Sequence, residues 1–439
     1  MIRSPRLSWA VALLGAALAL SGCSGSGASK TSASRTASAA PTVSAVPSDS
    51  ATPGIRVDLP VTRTIKVSTA VAASFAAAPS KVDVPASLSI DGLGQGGNLL
   101  VERIPALPKG SDASEITRAA TLGTWNARHF SPVATADRET KGPLRGRMRQ
   151  ITNAVQAGNR LIWVETPSTD VEYNEWSLRT TVIGSHRVRE IAHSRILKKG
   201  RVLDVTGGTY PVVVGDWVYW AAAVPTVSSP SPSQEADWAF NILRSKLSRS
   251  SAVETFARNA VMPTPLDGAL VYASYSKATP DVYEIHQREV AGTQTDRVLV
   301  RGYRSGTSWI TNLASSGKLV VWTAQSPGLK KEGWVPDETA PGVMFILDVS
   351  TGALTKVITK DEAGGEGSIA FTRRGVVWGN GSGNGDAGEY VLDLITGKLQ
   401  KLGAEQGYSE VMANPDSDQV MWVPKSSANN IVWKVATLS

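Results

Sequence analysis

The sequence predicts an all-β fold built of repeated antiparallel units, and three observations carry that prediction. From residue 155 on, short apolar runs that contain an aromatic recur about every fifty residues. Each run is β-branched and bounded by Gly, Asp or Pro, which marks a strand rather than a helix. With 40 Gly and 24 Pro among 439 residues, the chain is turn-rich and leans away from long helices. A period near fifty with several strands per unit indicates a β-propeller. Four antiparallel strands per unit make one blade, so the expectation is six or seven four-stranded blades. Two packed β-sandwiches with coincidental spacing are the alternative.

The chain opens with two arginines, Arg3 and Arg6, followed by the uncharged apolar run 9–20 and then Leu20-Ser21-Gly22-Cys23. A positive start and a short apolar stretch read as a secretory signal. The run is well short of the roughly 20 residues needed to span a bilayer. Leu20-Ser21-Gly22-Cys23 resembles the bacterial lipobox, in which the cysteine is diacylated and becomes the mature N-terminus. That resemblance implies lipidation of Cys23, the one cysteine of the chain. It also implies a location outside the cytoplasm, anchored to the membrane by two or more acyl chains. Residues 24–54 are nearly all Ser, Thr, Ala, Gly or Pro, a composition that cannot offset the entropy of ordering. The expected organisation is therefore a signal peptide at 1–22, lipidated Cys23 with a disordered linker to residue 54, and a propeller over 55–439.

Within each unit, the aromatic strand is expected second. These strands are Leu161-Ile162-Trp163-Val164, Trp217-Val218-Tyr219-Trp220, Leu270-Val271-Tyr272, Leu319-Val320-Val321-Trp322, Val376-Val377-Trp378 and Val420-Met421-Trp422. The strand tryptophans such as Trp163, Trp322, Trp378 and Trp422 are read as packing between blades rather than as ligand stacking. First strands precede at Val212–Val214, 309–313, Ile369–Phe371 and 410–413. Third strands open on the pairs Glu175-Trp176, Asp237-Trp238, Asp281-Val282 and Glu389-Tyr390. Fourth strands, such as 354–358 and 399–402, follow the turns Ser350-Thr351-Gly352 and Thr396-Gly397. The last unit stops after its third strand, 431–435. An N-terminal segment from 55–110, such as 98–104, is expected to complete it and remove an exposed edge.

The stretch Ala413-Asn414-Pro415-Asp416-Ser417-Asp418-Gln419-Val420-Met421-Trp422 resembles the strand–turn–strand of TolB-type propeller repeats. Leu347-Asp348-Val349-Ser350-Thr351-Gly352 and Leu392-Asp393-Leu394-Ile395-Thr396-Gly397 resemble the Asp-x-x-Thr-Gly turn of TolB-like and quinoprotein-like blades. The TolB-like resemblance implies interaction rather than turnover. The quinoprotein pattern continues to a tryptophan after the glycine; Lys398-Leu399-Gln400-Lys401-Leu402 lacks it, which argues against a quinone cofactor.

Composition excludes several chemistries. One cysteine rules out a disulfide framework, a cysteine zinc site and CxxC redox chemistry. Four histidines, His129, His186, His193 and His286, are too dispersed for HExxH. The net charge of +7 is partly carried by the N-terminal arginines and implies no nucleic acid. Gly92-Leu93-Gly94-Gln95-Gly96-Gly97 fits GxGxxG, yet a strand follows where a dinucleotide site needs a helix, so a glycine hairpin is expected. Asn380, Ser382, Asn384 and Asp386 alternate like an EF-hand start, but Val391 stands at the twelfth position. Residues 168–176 look like a sialidase Asp-box, except that Glu172 replaces its glycine. No catalytic residue, metal or cofactor is assigned.

The working surface is expected where long loops join second to third strands, at 165–174, 223–237, 324–341 and 379–388, together with the links between blades. Long loops on a rigid scaffold commonly carry function. That face collects Glu165, Asp170, Glu172 and Glu175 beside Lys198, Lys199, Lys330, Lys331 and Trp334. Separately, Arg138, Lys141, Arg145, Arg147 and Arg149 cluster, offset only by Glu139, as a solvated connecting segment or a cationic strip suited to anionic lipid or wall polymer. The expected partner is an unidentified protein or an anionic envelope polymer, bound by a membrane-anchored module. A carboxylate-dependent hydrolase or lyase on the same face is the alternative, since paired carboxylates also serve acid–base chemistry.

Overall fold

The computed structural model describes residues 55–439, apart from stretches of which the longest are 104–118, 168–174, 195–208, 330–335, 360–368, 381–386 and 404–409. Seven antiparallel sheets follow one another along the chain as the blades of a propeller. Blade 1 comprises Leu88–Leu93, Leu99–Arg103, Thr121–Trp125 and Phe130–Thr135. Blade 2 comprises Gln150–Ala157, Arg160–Thr166, Ser177–Val182 and Arg189–His193. Blade 3 comprises Val212–Val214, Trp217–Pro225, Trp238–Lys246 and Glu254–Arg258. In blade 4 the strands are Ala260–Leu266, Ala269–Ser276, Thr279–Glu289 and Asp296–Arg304. Blade 5 is built from Trp309–Ser316, Leu319–Gln325, Gly342–Asp348 and Ala353–Thr359. Blade 6 follows with Ile369–Phe371, Gly375–Asn380, Gly388–Asp393 and Leu399–Lys401. The last blade supplies Val411–Ala413, Gln419–Trp422 and Asn430–Thr437 from its own segment.

The missing outer strand of blade 7 comes from the N-terminal side, as expected, but from a different segment. Ser80–Val84 pairs antiparallel with Asn430–Thr437, Val84 opposite Ile431 and Ser80 opposite Val435. Residues 98–104 do not close the ring: Leu99–Arg103 is the second strand of blade 1. Its apolar side chains explain the misassignment. Leu99, Leu100 and Val101 are buried on both sheet faces, which suits an inner strand and not a perimeter one.

Before reaching blade 7, the same N-terminal segment runs around the perimeter as a belt. Ile55–Val57 adds a fifth strand to blade 4, antiparallel to Asp296–Arg304. Val61–Lys66 adds one to blade 5, parallel to Ala353–Thr359, and Val71–Ala72 adds one to blade 6, parallel to Leu399–Lys401. Beneath the belt, Gly302 of blade 4 lies against the ring of Tyr283, where an added Cβ would come within 1.8 Å. Only glycine permits that approach.

The second-strand tryptophans seal the joints between blades. Trp163 packs in the core shared by blades 1 and 2, and Trp220 in that of blades 2 and 3. Trp322, Trp378 and Trp422 do the same farther round the ring. All five are at most 1% exposed. Closure is apolar too: Val84, Leu88, Val101 and Trp125 pack on Met421, Val423 and Trp433.

The Asp-x-x-Thr-Gly turns take the form their residues dictate. Asp348 accepts from the Ser350 and Thr351 amides at 2.9 and 3.3 Å, and Gly352 turns at φ +73°. Burial alone would raise its carboxyl. Hydrogen bonds from Lys318 and Ser350 outweigh that and hold it down at about 2. Asp393 repeats the arrangement with the Ile395 and Thr396 amides at 2.8 and 2.9 Å and with Arg374. Leu93 pairs with Leu99 and the Gly94 amide donates to the Asn98 carbonyl at 2.7 Å, so the glycine motif lies between two paired strands rather than ahead of a helix; residues 95–97 lie outside the described residues.

Candidate functional site

Chain topology sends the end of each second strand, the start of each third strand and the links between blades to one face. On blade 2 those ends enclose a cleft of about 270 Å³. Glu165 ends the second strand, Glu175 and Trp176 lead into the third, and His193 ends the fourth. The link from blade 1 contributes Glu139 and Arg149.

These residues form a chain of alternating charge across the blade. Arg149 donates through Nη2 to Glu139 Oε2 at 3.0 Å and through Nη1 to Glu165 Oε2 at 3.3 Å. Arg179 places Nε 3.7 Å from that same oxygen and reaches Glu190 Oε2 at 3.0 Å. Glu190 Oε1 meets His193 Nδ1 at 3.0 Å. On the inner side, the Trp163 indole donates to Glu165 Oε1 at 2.9 Å. Strand register makes the chain possible: Trp163 lies opposite Arg179, and Arg179 opposite Glu190. Such networks fix side-chain geometry because each buried charge depends on its neighbours.

Burial is the largest influence on Glu165 and raises its carboxyl above the ordinary range. The Trp163 hydrogen bond and the Arg179 and Arg149 charges pull the other way without cancelling it. Both its oxygens accept N–H groups, as do both oxygens of Glu139, which takes the Lys141 amide on Oε1 at 2.9 Å and Arg149 on Oε2. Both carboxyls are thereby tied to fixed partners on their own blade and link.

Glu165 and Glu175 are brought to one cleft, as the loop reading expected. Both are buried, at only 2% and 3% exposed. Asp170, Glu172, Lys198, Lys199, Lys330, Lys331, Trp334 and Cys23 lie outside the described residues. The basic strip divides in two. Arg149 turns inward, whereas Arg138, Lys141, Arg145 and Arg147 are exposed along the link at the rim. Arg138 is held there by donating to the Gly146 carbonyl at 3.0 Å. Arg179, Glu190 and His193 were missed. The available signal was Arg179 inside an otherwise uncharged strand, where a guanidinium needs a partner. Of the EF-hand-like set, Asn380 is fully buried and the other three lie outside the described residues. Among the described residues, no group of three or more His, Cys, Asp or Glu is arranged to hold a metal.

No family pattern and no curated protein sequence matches the chain. Among solved structures it is similar to an uncharacterized protein of Listeria monocytogenes EGD-e, with TM-score 0.46 and 9% identity, covering 77% of this chain and 89% of that one. The β-propeller domain of the Trilobed protease from Pyrococcus furiosus, with its open velcro topology, gives TM-score 0.39 and 10% identity over 66% of this chain and 84% of that one. A puromycin hydrolase gives TM-score 0.35 and 16% identity over 76% of this chain. The chain spans 57% of that enzyme's length. These likenesses extend to the fold only; the seven blades rest on the strand order itself.

Proposed function

We propose that this chain is a binding module, held outside the cytoplasm by a lipid on Cys23, that engages an anionic envelope polymer through the blade 2 face. One observation carries the reading: the carboxylates of the ion-pair chain are spent on internal partners, while the cations at the rim are exposed. Glu139, Glu165 and Glu190 are each engaged on both oxygens. Acid–base hydrolysis needs a pair of carboxyls turned to the substrate, whereas these three are turned to Arg149, Arg179 and their neighbours, which favours recognition over the carboxylate hydrolase. Arg138, Lys141, Arg145 and Arg147 face solvent around it and favour a polyanion. The lipobox resemblance and the Ser/Ala-rich composition of residues 24–54 support the placement.

Retention of the full chain on isolated cell envelopes tests the reading. Binding should weaken steeply with added salt, and the double variant Arg145→Glu/Arg147→Glu should weaken it about tenfold. Salt-independent retention would point to an apolar protein partner and remove the polymer reading. Lipid labelling should vanish in Cys23→Ala; persistence there would remove the anchor. Turnover of chromogenic glycosides that is lost in Glu165→Gln would restore the hydrolase.

A further inference from the structure

A second polar groove, of about 400 Å³, lies between blades 3 and 4, away from the blade 2 cleft. Its floor is a line of three side chains from consecutive strands of blade 4. Ser274 Oγ is 3.0 Å from His286 Nε2, and His286 Nδ1 is 3.1 Å from Asp296 Oδ1. Alternation explains the convergence. Tyr272 lies opposite His286 and Ser274 opposite Glu284, so 272, 274, 284 and 286 share the sheet face turned towards blade 3.

Two contacts fix the imidazole. Tyr272 stacks on it with centroids 5.1 Å apart and planes 5° from parallel, and donates its hydroxyl to Asp296 Oδ2 at 2.7 Å. Asp296 faces Nδ1, while Nε2 faces both the Ser274 hydroxyl and the Glu284 carboxylate, so the form that acts as base is the tautomer protonated at Nδ1 with Nε2 bare. Glu284 Oε2 also lies 3.1 Å from Nε2, while its other oxygen is drawn off by Arg301 Nε at 2.7 Å. Glu284 is thus placed to hold Nε2 once that nitrogen has gained a proton. The opposite wall is Phe256 with Thr255 and Arg258 of blade 3, and Arg288 approaches from blade 4.

We infer that this groove is an acyl-transfer site for small carboxylic esters, with Ser274 as nucleophile, His286 as base and Asp296 as a positioning residue. Ser274 passes its hydroxyl proton to His286 Nε2 as Oγ bonds to the ester carbonyl carbon. The carbon–oxygen bond to the leaving alcohol breaks, and the alkoxide takes the proton from Nε2. Water then attacks the acyl-serine with His286 as base, releasing the acid and restoring Ser274. Arg258 and Arg288 bring positive charge to the groove, where negative charge develops on the carbonyl oxygen.

The full chain is to be treated with a fluorophosphonate probe and digested for mass spectrometry, with p-nitrophenyl acetate hydrolysis measured in parallel. The expected result is probe on the peptide carrying Ser274, absent in Ser274→Ala, and ester turnover reduced about a hundredfold or more in His286→Gln. Circular dichroism and melting curves identify any variant that has failed to fold. Asp296→Asn should lower kcat with KM and melting temperature unchanged; equal movement of all three would remove its positioning role. Labelling elsewhere, no labelling, or wild-type turnover by folded Ser274→Ala would overturn the site.

Discussion

Two halves of the ring are finished differently. Blades 4 to 6 carry a fifth strand from the N-terminal belt, and blade 7 takes its outer strand from the same segment. Among the described residues, blades 1 to 3 stop at their fourth strands, Phe130–Thr135, Arg189–His193 and Glu254–Arg258. Both polar clefts fall on the unbelted side or at its border: one on blade 2, the other against the outer strand of blade 3. The difference teaches a division of labour. Where backbone pairing covers the perimeter, apolar contact closes the ring; where it does not, charged side chains organise the surface and leave it open to ligands.

The largest expected effect breaks the belted side. Val84 is 4% exposed in the core that joins blades 7 and 1. Val84→Asp places an unpaired charge there and should cost about 3–5 kcal/mol in chemical unfolding. A near-neutral result would mean that the belt decorates the ring without closing it. On the unbelted side, Glu165→Ala takes one partner from each of Arg149 and Arg179, although Glu139 and Glu190 still hold them. A loss of about 2–3 kcal/mol is expected, and an unchanged midpoint would show that the ion-pair chain does not organise the cleft.

Native-state hydrogen exchange sharpens the comparison directly. Among the described residues, outer strands of blades 1 to 3 have no neighbouring strand on one side, whereas those of blades 4 to 6 are paired on both sides. Amides in Arg189–His193 should exchange about tenfold faster than those in Ala353–Thr359, and equal rates would erase the distinction. The smallest effect is expected from Asp348→Asn. A folded-state carboxyl held down at about 2 contributes stability above its unfolded value, and that stability is lost as pH falls towards 2. Its partner Lys318 is 62% exposed, so solvent screens the pair and the variant should lose about 1 kcal/mol or less near neutrality and nothing at the acid end. A loss that persists at pH 2 would assign the effect to the turn rather than the charge.

How much of this was legible in the sequence follows from burial. Trp163, Trp220, Trp322, Trp378 and Trp422 announced the repeat because strands covered on both faces must be apolar throughout. The belt left no such mark. Val61–Lys66 buries only Ile65 among its six residues, and Val71–Ala72 is exposed. Ser80–Val84 is mostly exposed as well, so the more apolar 98–104 drew the assignment. At the cleft, the positions of Glu165 and Glu175 followed from loop topology. Their burial did not, because Arg149 and Arg179 reach Glu165 only through the pairing of strands that the sequence does not align. The Ser274–His286–Asp296 line was hidden for the same reason, being assembled across two turns of blade 4.

The central claim is that this protein meets its partner on the unbelted face of blade 2. Hydrogen-exchange footprinting of the full chain, with and without isolated cell envelopes, tests it most directly. Protection should concentrate in the link 137–149 and in Arg189–His193, and should disappear in Arg145→Glu/Arg147→Glu. Protection confined to blades 4 to 7, or unaltered by that variant, would contradict the account.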